Sequence, residues 1–201
     1  MARRTKAEAI QTRESILDAA ELLFSQSGVA ATSLDDIAKA AGVTRGAVYW
    51  HFDSKFTLFD EIYTRAKLPL DQMLETAVNS DRPLESLEQV CIYALKHMVR
   101  DKRMQRVHSA LQMNCETSMT TQCMTRQQEG RNKALARFEK ILTQAKRKGE
   151  LATSIKPSLA ACALLSYMGG LFSDYLRLPD ACPIDKQAKQ LVSLFFNGIR
   201  Q

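Results

Sequence analysis

Two helix-start signals stand eleven residues apart between Thr32 and Lys55, with a glycine between them. Ser33 is a good N-cap, and Asp36 follows three residues later, the spacing of a capping box. Leu34, Ile37, Ala38 and Ala41 give the helix that follows one apolar side. Gly42 permits a sharp turn. Thr44 then caps a second short helix over Arg45–His51, and Asp53 or Ser54 caps a further one that begins at Lys55. Ahead of this run, Ile16, Leu17, Ala20, Leu23 and Phe24 line one face of a helix over about Thr12–Gln26, with Gly28 as its stop. A chain with this punctuation must fold here as short helices joined by tight turns.

Helical periodicity continues to the C-terminus. Pro and Gly are scarce, at 5 and 8 of 201 residues, which favours helices over strands. Helices are predicted at about 55–68, 83–100, 102–116, 120–148, 157–178 and from Ile184 to the end, with Pro69 marking a kink or break. The fold class is therefore all-α: an N-terminal domain over residues 1–55, a linking helix over about 54–68, and a larger helical domain over 69–201. The uncharged stretch Pro157–Ser173 is short and interrupted by Gly169 and Gly170, so it reads as a buried helix and not as a membrane span. The five cysteines are odd in number and lack C-x-x-C spacing. They point to reduced thiols in a cytoplasmic protein, with no zinc site, no cofactor and no metal.

A helix, a glycine turn and a second short helix make a helix-turn-helix, whose second helix enters the major groove of DNA. At about 100° per residue, Val48 and Phe52 face inward, whereas Gly46, Tyr49 and Trp50 face away. An exposed Trp–Tyr pair implies something to touch. Gly46 lets a phosphate approach, and Arg45 in the first turn suits guanine. His51 and Lys55 follow, with Lys55 at a helix N-terminus that attracts phosphate. Bulk charge does not carry this reading. The net charge is +6, yet residues 1–55 hold seven Lys/Arg and seven Asp/Glu, and the local basic cluster is Arg3, Arg4 and Lys6.

The run from Thr32 to Phe52, TSLDDIAKAAGVTRGAVYWHF, resembles the DNA-binding domain of the TetR family of repressors. The opening MARRTK and the later Cys115-Glu116 are similar to the AcrR/TtgR branch, which represses multidrug efflux pump genes. The resemblance implies a ligand-responsive repressor that binds a palindromic operator in double-stranded DNA. Its DNA-facing set here is Thr32, Ser33, Thr44, Arg45, Gly46, Tyr49, Trp50, His51 and Lys55, with Arg3 and Arg4.

It also implies a homodimer built from the last two helices. The sequence agrees: the last helix carries Leu191, Val192, Leu194, Phe195, Phe196 and Ile199, more apolar surface than one face requires, and small residues including Gly169 permit close approach before it. The dimer set is Gly169, Leu191, Phe195 and Phe196. An effector pocket is implied as well, with polar His108 and Gln112 four residues apart, Glu116 as the acid, and Val90, Cys91, Ala94, Leu165 and Met168 as apolar lining. Arg65 and Lys67 stand where relatives that bind cationic drugs often keep an acid, so the expected effector is neutral or weakly polar and aromatic.

Other functions fare worse. No nucleophile, metal-ligand or phosphate-cradling pattern is visible, and neither His97 nor His108 has a carboxylate partner by spacing, so an enzyme is not expected. Residues 100–150 carry twelve Lys/Arg against five Asp/Glu, but no interleaved aromatics. They read as solvated helix faces and not as an architectural DNA binder. A repressor of a metabolic or catabolic operon with a specific metabolite effector stays open. No membrane partner is expected.

Overall fold

The computed structural model describes residues 6–113, 118–179 and 183–201, without the side chains at 111–113, 118–120, 123 and 185. Among them run nine helices: α1 (Lys6–Ala31), α2 (Leu34–Ala40), α3 (Arg45–His51), α4 (Lys55–Val78), α5 (Pro83–Arg100), α6 (Lys102–Met113), α7 (Ser118–Arg147), α8 (Pro157–Arg177) and α9 (Ile184–Ile199). The all-α expectation holds. An isolated antiparallel bridge joins Leu151 and Arg200.

The chain divides into two compact units, Met1–Ala66 with Arg106–Gln127, and Lys67–Gln105 with Gln128–Gln201. The division falls inside α4, α6 and α7. In the first unit Ile16, Leu17, Ala20 and Phe24 of α1 are buried with Ile37 of α2, Val48 of α3, and Leu58, Phe59 and Ile62 of α4. The Phe24 and Phe59 rings meet edge to face at 6.4 Å. Burying each such side chain stabilises the unit by roughly 1.5–3 kcal/mol. α1 runs longer than expected. At Gly28 its backbone leaves helical geometry, with φ 79° and ψ 159°, and it resumes briefly to Ala31. Only glycine adopts that φ without strain.

α4 runs through Pro69 without the break expected there. Proline in a helix interior costs about 3 kcal/mol. Burial of Leu58, Phe59, Ile62 and Tyr63 before it, and of Leu74, Ala77 and Val78 after it, outweighs that cost.

In the second unit α5 packs mainly on α9, with α8 beside both. Ile184, Ala188, Val192, Phe196 and Ile199 recur every three or four residues along α9 and all lie in the core with Leu87, Leu95, Ile141, Leu142 and Leu164. Glu88 of α5 lies buried against the same helix. Its carboxylate accepts from Ser193 Oγ at 2.9 Å and from Arg200 Nη2 at 2.6 Å.

α8 corrects the expectation of a buried helix. It is long and apolar enough to cross a membrane by length and composition, yet only 22% of its apolar window is buried in the protomer. Ala160 and Ala161 are buried, whereas Ala163, Gly169 and Gly170 are exposed, with open space where a Cβ would stand on either glycine. Leu159 on α8 and Leu194 on α9 are both 66% exposed.

Candidate functional site

Local chemistry places α3. Ser33 Oγ accepts from the Asp36 N–H at 3.1 Å while the Asp36 carboxylate takes the Ser33 N–H, closing the expected capping box. The Ser33 hydroxyl also donates to the Asp36 carboxylate at 2.5 Å, and that bond first and the Ser33 N–H second hold the Asp36 carboxyl below the usual carboxylate range. Gly42 turns the chain with φ 67°. Thr44 Oγ1 accepts from the Ala47 N–H at 3.2 Å, and Ser54 Oγ does the same for Thr57 at 3.1 Å, so Ser54 caps α4. Val48 and Phe52 are inward as the wheel predicts. The Arg13 guanidinium lies over the Phe52 ring at 4.8 Å and pairs with Glu61 of α4, which ties α1, α3 and α4 together.

The opposite face of α3 is open. Trp50 is 73% exposed and Tyr49 46%. A Cβ on Gly46 would meet nothing nearer than Thr44 Oγ1 at 3.9 Å. Arg45 is exposed beside them; its Nη1 donates to Asp35 at 3.2 Å and its Nη2 to the Tyr49 hydroxyl at 3.3 Å. The half-buried His51 ring meets Trp50 edge on at 4.5 Å. Ser33, Thr44, Arg45, Gly46, Tyr49 and Trp50 are all exposed, on adjoining elements. Together they make a surface with a cation, aromatic rings, hydroxyls and an open backbone, suited to a polyanion with flat apolar edges.

Two expected members of that surface are placed differently. Thr32 is 3% exposed, and its hydroxyl donates to the Gly28 carbonyl at 2.8 Å, so its side chain closes the end of α1 and does not face solvent. Lys55 reaches back along the same end. Its ammonium donates to the carbonyls of Ala30 at 2.9 Å and Thr32 at 2.6 Å, orphan acceptors at the end of a helix. Arg3 and Arg4 lie outside the described residues.

Residues 16–62 match the family model for bacterial regulatory proteins of the tetR family. Residues 82–200 match the model for the C-terminal region of MAATS-type transcriptional repressors. The chain belongs to the TetR family. It is therefore a transcriptional regulator and not an enzyme. This TetR-family chain is 37% identical over 201 residues to the HTH-type transcriptional repressor BepR of Brucella suis, an alignment covering 98% of this chain and 96% of BepR. Its fold matches NalD of Pseudomonas aeruginosa, the secondary repressor of the MexAB-OprM multidrug efflux pump, with TM-score 0.87 and 35% identity over 98% of this chain and 99% of NalD. SmeT, a multidrug efflux pump repressor of Stenotrophomonas maltophilia, in complex with triclosan matches with TM-score 0.87 and 31% identity over 94% and 92%.

The expected effector-pocket residues of this regulator separate. Val90, Cys91, Ala94 and Met168 are buried in the apolar core of the second unit, and Leu165 packs against it. Burial pushes the Cys91 thiol up, helped by the nearby Glu88 charge, so Cys91 stays neutral there. His108 is half-buried and belongs to the first unit. Glu116 and the Gln112 side chain lie outside the described residues. Among the dimer candidates, Phe196 is wrong for an outward role. It is fully buried, one stripe round from the partly exposed Leu191 and Phe195. Phe195 stacks on Tyr167 at 5.8 Å, and the Tyr167 hydroxyl donates to the Leu191 carbonyl at 2.8 Å. Gly169 and Leu194 are exposed.

Sequence reasoning also missed partners. His97 Nε2 stands 3.3 Å from Asp101 on the next helical turn, a carboxylate that the four-residue spacing already offered. Asp35 beside Arg45 carried no local signal beyond its place in the first turn of α2. Among the described residues no group of three or more His, Cys, Asp or Glu is placed to hold a metal.

Proposed function

We propose that this chain is a homodimeric, cytoplasmic repressor of a multidrug efflux operon, released from a palindromic operator by a neutral or weakly polar aromatic effector. The observation that carries the DNA half is the open face of α3, where Arg45, Tyr49 and Trp50 surround a glycine with no side chain. Residues 1–55 then bind DNA, helix 4 over about 54–68 links, and 69–201 sense the effector and dimerise. Arg45 reads guanine; Ser33, Thr44, Tyr49, Trp50 and His51, with the Gly46 backbone, position α3 on the phosphates. The outward small residues of α8, with Leu159 and Leu194, support a two-fold interface with a second copy. Two recognition helices then meet half-sites about 34–36 Å apart. That NalD and SmeT repress efflux pumps, and that SmeT holds triclosan, supports the target and the effector class. Val90, Cys91, Ala94, Leu165 and Met168 supply apolar lining for the effector.

The test is selection of bound fragments from random DNA, followed by calorimetry of triclosan binding with and without the selected duplex. A short palindrome is expected, and triclosan and operator should weaken each other by the same factor, as linkage requires. Uniform coating of DNA would overturn the operator reading, and equal triclosan affinities in both states would overturn the release scheme.

A further inference from the structure

The exposed face of α3 contains one feature that opposes DNA: a carboxylate. Asp35, in the first turn of α2, stands 3.2 Å from Arg45 Nη1, with its side chain 49% exposed against 59% for the arginine. A pair this open contributes little to stability. Its position matters more. The Tyr49 hydroxyl accepts from Nη2 of the same guanidinium at 3.3 Å, and the guanidinium carbon lies 5.5 Å from the centre of the Tyr49 ring. Arg45 is therefore held from two sides, by α2 and by its own helix one turn on. Both contacts also favour its charged form, the Tyr49 bond first and Asp35 second.

A guanidinium has five N–H donors in a plane. Asp35 and Tyr49 occupy one hydrogen on each terminal nitrogen, which leaves one on each and the Nε–H. Two of those can still meet the O6 and N7 acceptors of a guanine together, so a base contact keeps the Asp35 pair. Transfer of Arg45 to a phosphate breaks the pair and leaves a bare carboxylate beside the DNA backbone, where like charge repels. Non-specific binding carries that penalty and specific binding escapes it.

We propose that Asp35 is a specificity-determining residue of this regulator: it positions Arg45 for a base and penalises its diversion to a phosphate. The proposal rests on the reading of Arg45 as the base-contacting residue. It is tested on the full chain with Asp35→Asn, Asp35→Glu, Arg45→Ala and the double variant Asp35→Asn/Arg45→Ala. Each is titrated with the selected operator and with a scrambled duplex of equal length, and the ratio of the two affinities is the readout. Asp35→Asn should tighten binding to scrambled DNA and lower the ratio by roughly tenfold, within the range one bidentate contact discriminates. Asp35→Glu, which keeps the charge, should retain most of the ratio. In the Arg45→Ala background, adding Asp35→Asn should leave the ratio where it is. A lost helix-terminal charge in α2 would shift the melting midpoint and scale both affinities alike, without moving the ratio. An unchanged ratio in Asp35→Asn, with a collapsed one in Arg45→Ala, overturns the role of Asp35 alone. An unchanged ratio in Arg45→Ala overturns the base-contact reading and this proposal with it.

Discussion

In the first compact unit several ion pairs join distant parts of the chain around its apolar core. Arg13 meets Glu61, Arg65 meets Glu14 at 2.9 Å, Arg106 meets Glu21 at 3.2 Å, and Arg126 meets Asp60 and lies 5.1 Å from the centre of the Tyr63 ring. Its helices α2, α3 and α4 each begin on a side-chain cap, from Ser33, Thr44 and Ser54. In the second unit α5, α8 and α9 begin without one, and α5 and α8 open on Pro83 and Pro157 instead. There a large apolar cluster is flanked by ion pairs of its own, Arg200 with Glu88 and Arg137 with Glu75. The difference follows from helix length. A seven-residue helix has few inward positions: α2 buries Ile37 and Ala38, and α3 only Val48. So side-chain caps fix where the short helices of the reading surface begin, and α9, with sixteen residues, can rely on burial.

The sharpest way to break this contrast is on α9. Phe196→Ala empties a fully buried site and should cost the protein about 3–5 kcal/mol, read as a lower denaturation midpoint. Leu194→Glu, two residues away and 66% exposed, should leave each protomer folded. Under the dimer reading it should give monomers in sedimentation and lose operator binding. A Phe196→Ala protein with the parental midpoint would mean that the apolar cluster is not what holds this unit. A dimeric Leu194→Glu protein would move the interface elsewhere.

A smaller effect is expected where the first unit relies on charge. Glu21 is only 5% exposed, and Arg106 answers it with a guanidinium 35% exposed. Removing one partner of a fully buried pair costs about 3–5 kcal/mol, and the partial exposure of Arg106 brings the expected loss to roughly 1–3 kcal/mol. Arg106→Met should show that loss in a melting experiment, and Glu21→Met added to it should restore most of the difference, since no uncompensated charge then stays buried. Additive losses would show that the two side chains act independently.

The same contrast explains what could be read from the sequence. The caps at Ser33, Thr44 and Ser54, the turn at Gly42 and the outward Tyr49–Trp50 pair were legible because each is written within four residues of its effect. The carbonyls that Thr32 and Lys55 bind were not legible, because their place is set by where α1 stops. Phe195 and Phe196 were not separable by composition; the inward stripe Ile184, Ala188, Val192, Phe196 decides between them. The partners of Arg13, Arg106 and Arg126 lie 48 to 85 residues away, beyond any local signal. α8 misled for a different reason. Leu164 and Met168 face the core while Leu159 is left open by the protomer, and hydropathy alone does not say which surface a residue serves.

The smallest effect tests a single cap in the first unit. The Asp36 carboxyl accepts from the Ser33 hydroxyl and the Ser33 N–H, and both hold it below its ordinary value. An unfolded chain has no such bonds, so Asp36 there titrates near the usual aspartate value of about 3.9. A folded-state value depressed below the unfolded one adds stability that is fully present above about pH 4 to 5 and is lost as pH falls through the folded-state value. The group is solvent-exposed, so the share is small, and a difference between parent and variant isolates it from the rest of the acid limb. Melting midpoints of the parent and of Ser33→Ala, followed from pH 7 to pH 2.5, should lie apart at neutral pH by a few degrees and draw closer in acid, because protonation removes the bond from the Ser33 hydroxyl to the Asp36 carboxylate and leaves only the one it accepts from the Asp36 N–H. Asp36→Asn should remove the same part of the pH dependence while keeping the Ser33 hydroxyl. Parallel profiles for parent and Ser33→Ala would mean that the Ser33 bonds do not set the Asp36 titration, and that α2 is held in place by burial of Ile37 and Ala38, as the helices of the second unit are held.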